Sequence, residues 1–251
     1  MFEHARDQEP AHDEGAAMKR RFVAVANDPR LIPGVHHYCD EWCHYCPVAQ
    51  RCLAFRCIAE YRKARGRRES DPTFTSMGEA IALTREISAV EGVSTEDLDA
   101  LAGGGPGADA MHTEDPLASL ALAYAFGVST VLKLTESEIS YWGAPAATPT
   151  PREVVIWYHL RIYLKIVRAL IGKERTARGE IERSDDAAGC AKLTLVSVTR
   201  SREALRELNT PAMQQGVESL IEQLDALERG IDERFPEARA YLRVGLDVPA
   251  A

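Results

Sequence analysis

A chain of 251 residues is long enough to bury a hydrophobic core without covalent staples, so its six cysteines are not needed to rescue a small fold. Thirty Lys and Arg stand against thirty-eight Asp and Glu, and the resulting net charge of −8 argues against broad, sequence-independent wrapping of nucleic acid. A local basic patch stays compatible with that balance.

The opening stretch "MFEHARDQEPAHDEGAAMKRR" carries acidic residues and no apolar h-region, so residues 1–20 are expected to form a polar, disordered tail. Without an export signal the expected compartment is the reducing cytoplasm. There, clustered cysteines bind metal or do redox chemistry more often than they form disulfides. "RFVAVAN" has strand-like apolar character, and Pro29, Pro33 and Gly34 then turn the chain.

"HHYCDEWCHYCPVAQRC", His36 to Cys52, places four cysteines within fourteen residues. Cys39, Cys43 and Cys46 are spaced by four and three, which on a helix puts three thiols on one face. Pro47 disfavours helical geometry at Cys46, so a turn is expected there. A second helix, "PVAQRCLAFRCIAEYRKARG", then brings in Cys52 and ends before Gly66, its last turns basic as the helix dipole favours. Asp40, Glu41, His44, Gln50 and Arg51 interleave the thiols, a pattern unlike an apolar core.

These spacings predict a metal centre held by Cys39, Cys43, Cys46 and Cys52. Structural zinc sites generally use two knuckles separated by a loop of about 12 to 20 residues, and no such loop intervenes. A cubane 4Fe-4S cluster offers four separate iron corners that a compact run of cysteines can reach, so it is the expected cofactor and zinc the alternative. Cys57 lies five residues beyond Cys52 and is expected to face the core with Leu53 and Ile58, unless it substitutes for Cys39 as a ligand. His36, His37 and His44 stand near enough to replace a cysteine or to donate to sulfur, and solvated or structural roles are favoured for them. Cys190, far along the chain, reads as a small packed residue.

Beyond the cysteines, "TSMGEAIALTREISAVEG" has helical spacing and "STEDLDALAG" a serine-capped start. "GGGPGADAMHTEDP" is the expected connector, dividing a cysteine-rich helical region (21–102) from a helical bundle (116–251) across residues 103–115. "LASLALAYAFGVSTVL" is apolar but shorter than the roughly 20 residues of a spanning helix, so it is expected to be a buried helix and not a membrane span. A proline-rich connector, "WGAPAATPTPRE", precedes the long helix "REVVIWYHLRIYLKIVRALIG". Two more helices follow, one capped near Ser184 to Asp186 and one starting at Pro211. With no repeat and no strand–helix alternation, an all-α multi-helix bundle with a cysteine-rich segment near its N-terminus is predicted.

Two local motifs resemble known families. "CHYCPVAQRC", residues 43–52, resembles the C-x2-C-x5-C iron-sulfur staple of the RecB-like helicase-nucleases, with an aromatic before its second cysteine and a proline after it. That resemblance implies ligand roles for Cys43, Cys46 and Cys52; the family's remote fourth ligand and its nuclease residues have no counterpart here. "CDEWCHYC", residues 39–46, resembles the C-x3-C-x2-C motif of radical S-adenosylmethionine enzymes, with Tyr45 at the favoured aromatic position. It implies an open iron for the cofactor, whereas Cys52 offers a fourth ligand, and the family's strand–helix barrel pattern is missing downstream.

Elsewhere, Tyr158, Arg161, Lys165 and Arg168 form a polar stripe on the long helix, for which ion pairing with Asp185, Asp186, Glu136 or Glu138 is expected and an anion-binding groove is the alternative. His159 beside it reads as structural. "RKARGRR", residues 62–68, reads as a solvated helix end, a place to meet nucleic acid or an acidic redox partner being the sharper reading. No phosphate loop, serine elbow or Glu-x-x-His pair occurs in the helical half. The function expected is therefore a redox, sensing or structural metal centre with a protein or redox partner of unknown identity. A zinc-stapled interaction protein is the alternative, and a radical S-adenosylmethionine-type enzyme the second.

Overall fold

The computed structural model describes residues 9–67, 82–83, 85, 114–135, 148–179 and 185–249. Among the described residues the chain is all-α, with six α-helices, three short 3-10 turns and an isolated bridge between Val244 and Val248. No helix among them is long and apolar enough to cross a membrane. The helices expected from Thr75 to Gly103 and the connector at 103–115 lie, but for a few residues, outside the described residues.

Two compact units are present: Met1–His36 with Cys46–Gly104, and His37–Tyr45 with Gly105–Ala251. In the first, α1 (Glu9–Ala26) packs on α2 (Leu53–Ala64). "RFVAVAN", expected to be extended, instead forms the last turns of α1, which also takes in part of the expected polar tail. Met18, Phe22 and Val25 recur at helical spacing and bury together with Cys57, Tyr61 and Leu83, while Leu53 and Ile58 pack against them. Helical burial of this stripe overrides the β preference of the valines.

α2 starts at Leu53, six residues later than Pro47 suggested. Pro47 and Val48 form a turn and Ala49–Arg51 a 3-10 turn, leaving Cys52 extended at the N-cap. The helix ends as its sequence promises. Gly66 adopts φ +62°, its N–H bonds Lys63 O at 3.2 Å, and Arg67 N bonds Arg62 O at 2.9 Å, the paired bonds of a Schellman motif.

The second unit is a bundle of α3 (Pro116–Val131), α4 (Pro151–Ala177), α5 (Asp185–Leu208) and α6 (Gln214–Arg234). Asp115 caps α3 by accepting from Leu117 N at 2.8 Å, and Arg234 clamps the same carboxylate at 2.6 Å. Burial raises the Asp115 pKa, but Arg234 and the cap amides prevail and hold it below the ordinary value. Thr150 and Glu153 form a reciprocal capping box at the start of α4, with Pro151 in the first turn. α4 packs along α5, and α3 lies against α4 and α6.

Three small positions set the approach of α3 to α6. A Cβ on Gly216 would stand 2.8 Å from Val131 Cγ2, on Gly127 2.9 Å from Leu220 Cδ2, and on Gly230 2.7 Å from Leu117 Cδ1. As the α3 number falls from 131 to 117 its partner rises from 216 to 230, the register of an antiparallel pair. The core enclosed by these helices includes Tyr124, Tyr158, Ile162, Ile166, Cys190, Leu205, Leu224 and Ile231. Two buried hydroxyls on α5 bond within the helix: Thr194 and Ser197 donate to the carbonyls of Cys190 and Leu193 at 2.8 and 2.9 Å.

Candidate metal centre

The cysteine run is not an α-helix at its first three thiols. Residues 38–42 are bends and irregular chain, Glu41 has φ +59°, and only Cys43–Tyr45 form a 3-10 turn. The spacing of four and three therefore does not place Cys39, Cys43 and Cys46 on one helical face. The physical reason lies in the spacer Asp40-Glu41-Trp42, whose side chains all find partners on the bundle and hold the backbone away from helical dihedrals.

Asp40 Oδ1 accepts from Trp42 N at 3.2 Å and closes the turn. Its Oδ2 accepts from the Tyr158 hydroxyl at 2.6 Å and from Arg200 at 2.8 Å, and its carbonyl accepts from Trp157 Nε1 at 3.0 Å. Arg200 also donates to the Tyr158 oxygen at 2.5 Å. Burial and then the Asp40 charge push the Tyr158 phenol up, so it stays a neutral donor. Glu41 Oε1 accepts from Lys165 Nζ at 2.7 Å. Burial works to raise the Glu41 pKa, yet Lys165, followed by Arg161 and Arg168, draws it below its ordinary value.

Trp42 stacks on Trp157 with ring centroids 4.9 Å apart and planes 10° from parallel, and meets Tyr45 and Tyr158 edge-on. The Arg161 guanidinium lies 3.5 Å from the Trp157 ring centroid. Burial lowers the Arg161 pKa, opposed first by the charges of Glu41 and Asp40. Tyr38 completes the attachment, donating to Val244 O at 3.0 Å and meeting Tyr241 edge-on.

The polar stripe of α4 therefore finds carboxylate partners beside the cysteines. Of the partners expected by chain order, Glu136, Glu138 and the side chains of Asp185 and Asp186 lie outside the described residues. Arg200 and the Trp42–Trp157 stack were missed altogether. The signal for them was available in Asp40 and Glu41, two acids inside a cysteine run facing a helix whose polar stripe is cationic.

None of the six cysteines forms a disulfide. Cys39 and Cys43 belong to the second unit and are half-buried; in the first unit Cys46 is half-buried and Cys52 buried at the N-cap of α2. Cys57 and Cys190 are fully enclosed, at 0% exposure each, in the cores of the first and second units. Among the described residues, no three His, Cys, Asp or Glu side chains stand in an arrangement that could hold a metal ion. In donor type alone, four cysteine sulfurs in or beside short turns are chemically suited to a thiolate-bound centre.

His37 and His44 are exposed and His36 half-buried. His159 is buried with Nδ1 bonded to Ile156 O at 2.5 Å, and burial lowers its pKa, the features of a structural neutral histidine. In the basic run, Arg65 and Arg67 lie over the Tyr61 ring at 5.5 and 5.6 Å. No family model, curated protein or solved structure matches the chain.

Proposed function

We propose that the chain is a cytosolic metal-binding protein in which Cys39, Cys43, Cys46 and Cys52 ligate a 4Fe-4S cluster with a redox, sensing or structural role. One observation carries the reading: the six cysteines divide into two kinds by burial. Cys57 and Cys190 are sealed in apolar cores, whereas Cys39, Cys43, Cys46 and Cys52 lie in or between bends and short turns or at a helix cap, three of them partly open to solvent. Cysteine used only as a small hydrophobe belongs to the first kind; a ligand belongs to the second. Thiols closely spaced in sequence and without disulfides suit a reducing compartment. The absence of a knuckle-separating loop favours a cluster over zinc.

Metal analysis of two variants tests the ligand set. Cys52→Ala is expected to lose metal, and Cys190→Ala to keep the wild-type content. Equal metal in both variants refutes the assignment of Cys52. A radical S-adenosylmethionine role requires an open iron, which a fourth cysteine ligand closes; reductive cleavage of S-adenosylmethionine by the reconstituted, dithionite-reduced protein is the outcome that would restore it.

A further inference from the structure

The spacer between Cys39 and Cys43 is bound more thoroughly than a linker requires. Asp40 alone accepts four hydrogen bonds: from its own turn at Trp42, from Trp157 and Tyr158 on α4, and from Arg200 on α5. Glu41 keeps a left-handed backbone, at φ +59°, while its carboxylate is held by buried Lys165. A residue with a Cβ adopts such a conformation at a cost, and the cost persists only where surrounding contacts over-determine it. Trp42 then locks the far side of the turn by stacking on Trp157.

We infer that Asp40 is the positioning residue of the centre, tying its carboxylate and carbonyl to α4 and α5 so that the turn carrying Cys39 and Cys43 is held to the bundle. This rests on the metal-centre reading above and adds to it a supporting shell. Outer-shell groups that fix the orientation of a ligand govern how well metal is retained, because they remove conformations that the ligand would otherwise sample on release. Tyr158 and Arg200 act through Asp40, and Lys165 acts through Glu41. The positive stripe of α4 is thus a receptor for the acidic spacer.

The test uses the full chain, wild type beside Asp40→Ala, Asp40→Asn, Tyr158→Phe and the double variant Asp40→Ala with Tyr158→Phe. Each is loaded anaerobically either with ferrous iron and sulfide or with Zn2+ alone. The rate of metal release to a chelator is then measured well below the unfolding temperature, with helicity followed by circular dichroism. Asp40→Ala is expected to release metal about 10- to 100-fold faster at unchanged helicity, the scale at which supporting-shell changes act. Asp40→Asn keeps the backbone carbonyl and one of the two side-chain acceptors and is expected to fall between, while the double variant should release no faster than Asp40→Ala, because both changes remove one network.

A role confined to bundle stability would lower the melting temperature and leave release unchanged, which overturns the inference. Should Asp40→Ala fail to fold, Tyr158→Phe carries the same test with a smaller expected acceleration, and unchanged release there overturns it too. The two readings fail differently. Wild type that takes up neither metal removes the four-cysteine centre and this inference with it. Wild type and Asp40 variants that load and release alike remove the inference alone.

Discussion

Glu41 and Lys165 are unequal partners: the lysine side chain is 8% exposed, the glutamate side chain 54%. Removing the carboxylate leaves a buried ammonium without its closest counter-charge, whereas removing both charges leaves an apolar stem in an apolar wall. Glu41→Gln is therefore expected to cost about 1–3 kcal/mol, a buried-pair value reduced for the solvent on the glutamate side. Adding Lys165→Met should recover part of that loss. A double-mutant cycle by chemical denaturation measures the coupling, and simple additivity would show that the pair contributes nothing of its own.

His159 links residue chemistry to pH. Its folded pKa is depressed, chiefly by burial, so the folded chain binds this proton less readily than the unfolded chain, whose histidine titrates near ~6.5. Stability from this group is fully present above about pH 6.5 and is lost as pH falls toward the lower folded value. The thermal midpoint of wild type should drop between pH 7.5 and 5.5 more steeply than that of His159→Gln. Parallel slopes would mean that His159 does not titrate with unfolding. At this scale the sequence was partly legible. His159 and Cys57 could be placed from their apolar neighbours, but the dihedral of Glu41 could not, because nothing in "CDEWC" forbids a helix until the partners of its side chains are known.

Among the elements, helix ends were the most readable features. Asp115-Pro116, Pro151 and Gly66 each stand where a missing amide, an orphan N–H or a left-handed residue is wanted, and each marks an observed boundary to within a residue or two. Pro47 misled because proline at the head of a turn looks the same as proline at the head of a helix. The α3–α6 contact was hidden for another reason: glycines inside a helix signal close approach only once the facing helix is known. There a Cβ on Gly216 would meet Val131, a β-branched side chain with little rotamer freedom, at 2.8 and 3.2 Å, whereas one on Gly230 would meet only the tip of Leu117 within 3.5 Å.

Gly216→Ala is thus expected to destabilise by about 1–3 kcal/mol through overpacking. At Gly230 the gain in helix propensity, about 1 kcal/mol, offsets the movement of a leucine tip, so Gly230→Ala should lie within about 1 kcal/mol of wild type. Urea titration of the two variants decides the point. The reverse order would mean that Val131 yields more easily than Leu117.

For the molecule as a whole, the all-α class followed from helical periodicity and the absence of any strand–helix alternation. What periodicity could not reveal is that residues 37–45 belong with the bundle while the chain on both sides of them belongs with the first unit. That division depends on Tyr38, Asp40, Glu41 and Trp42, whose partners lie between 115 and 206 residues away in sequence, beyond the reach of any local pattern. The cysteine spacing itself was legible, and the chemistry proposed for it depends on donor type and spacing in sequence more than on helical geometry.

The most direct test is iron, acid-labile sulfide and zinc per chain in wild-type protein purified without oxygen. A 4Fe-4S centre predicts a brown protein with about four irons and about four sulfides per chain. A colourless protein carrying one zinc and no sulfide would contradict it.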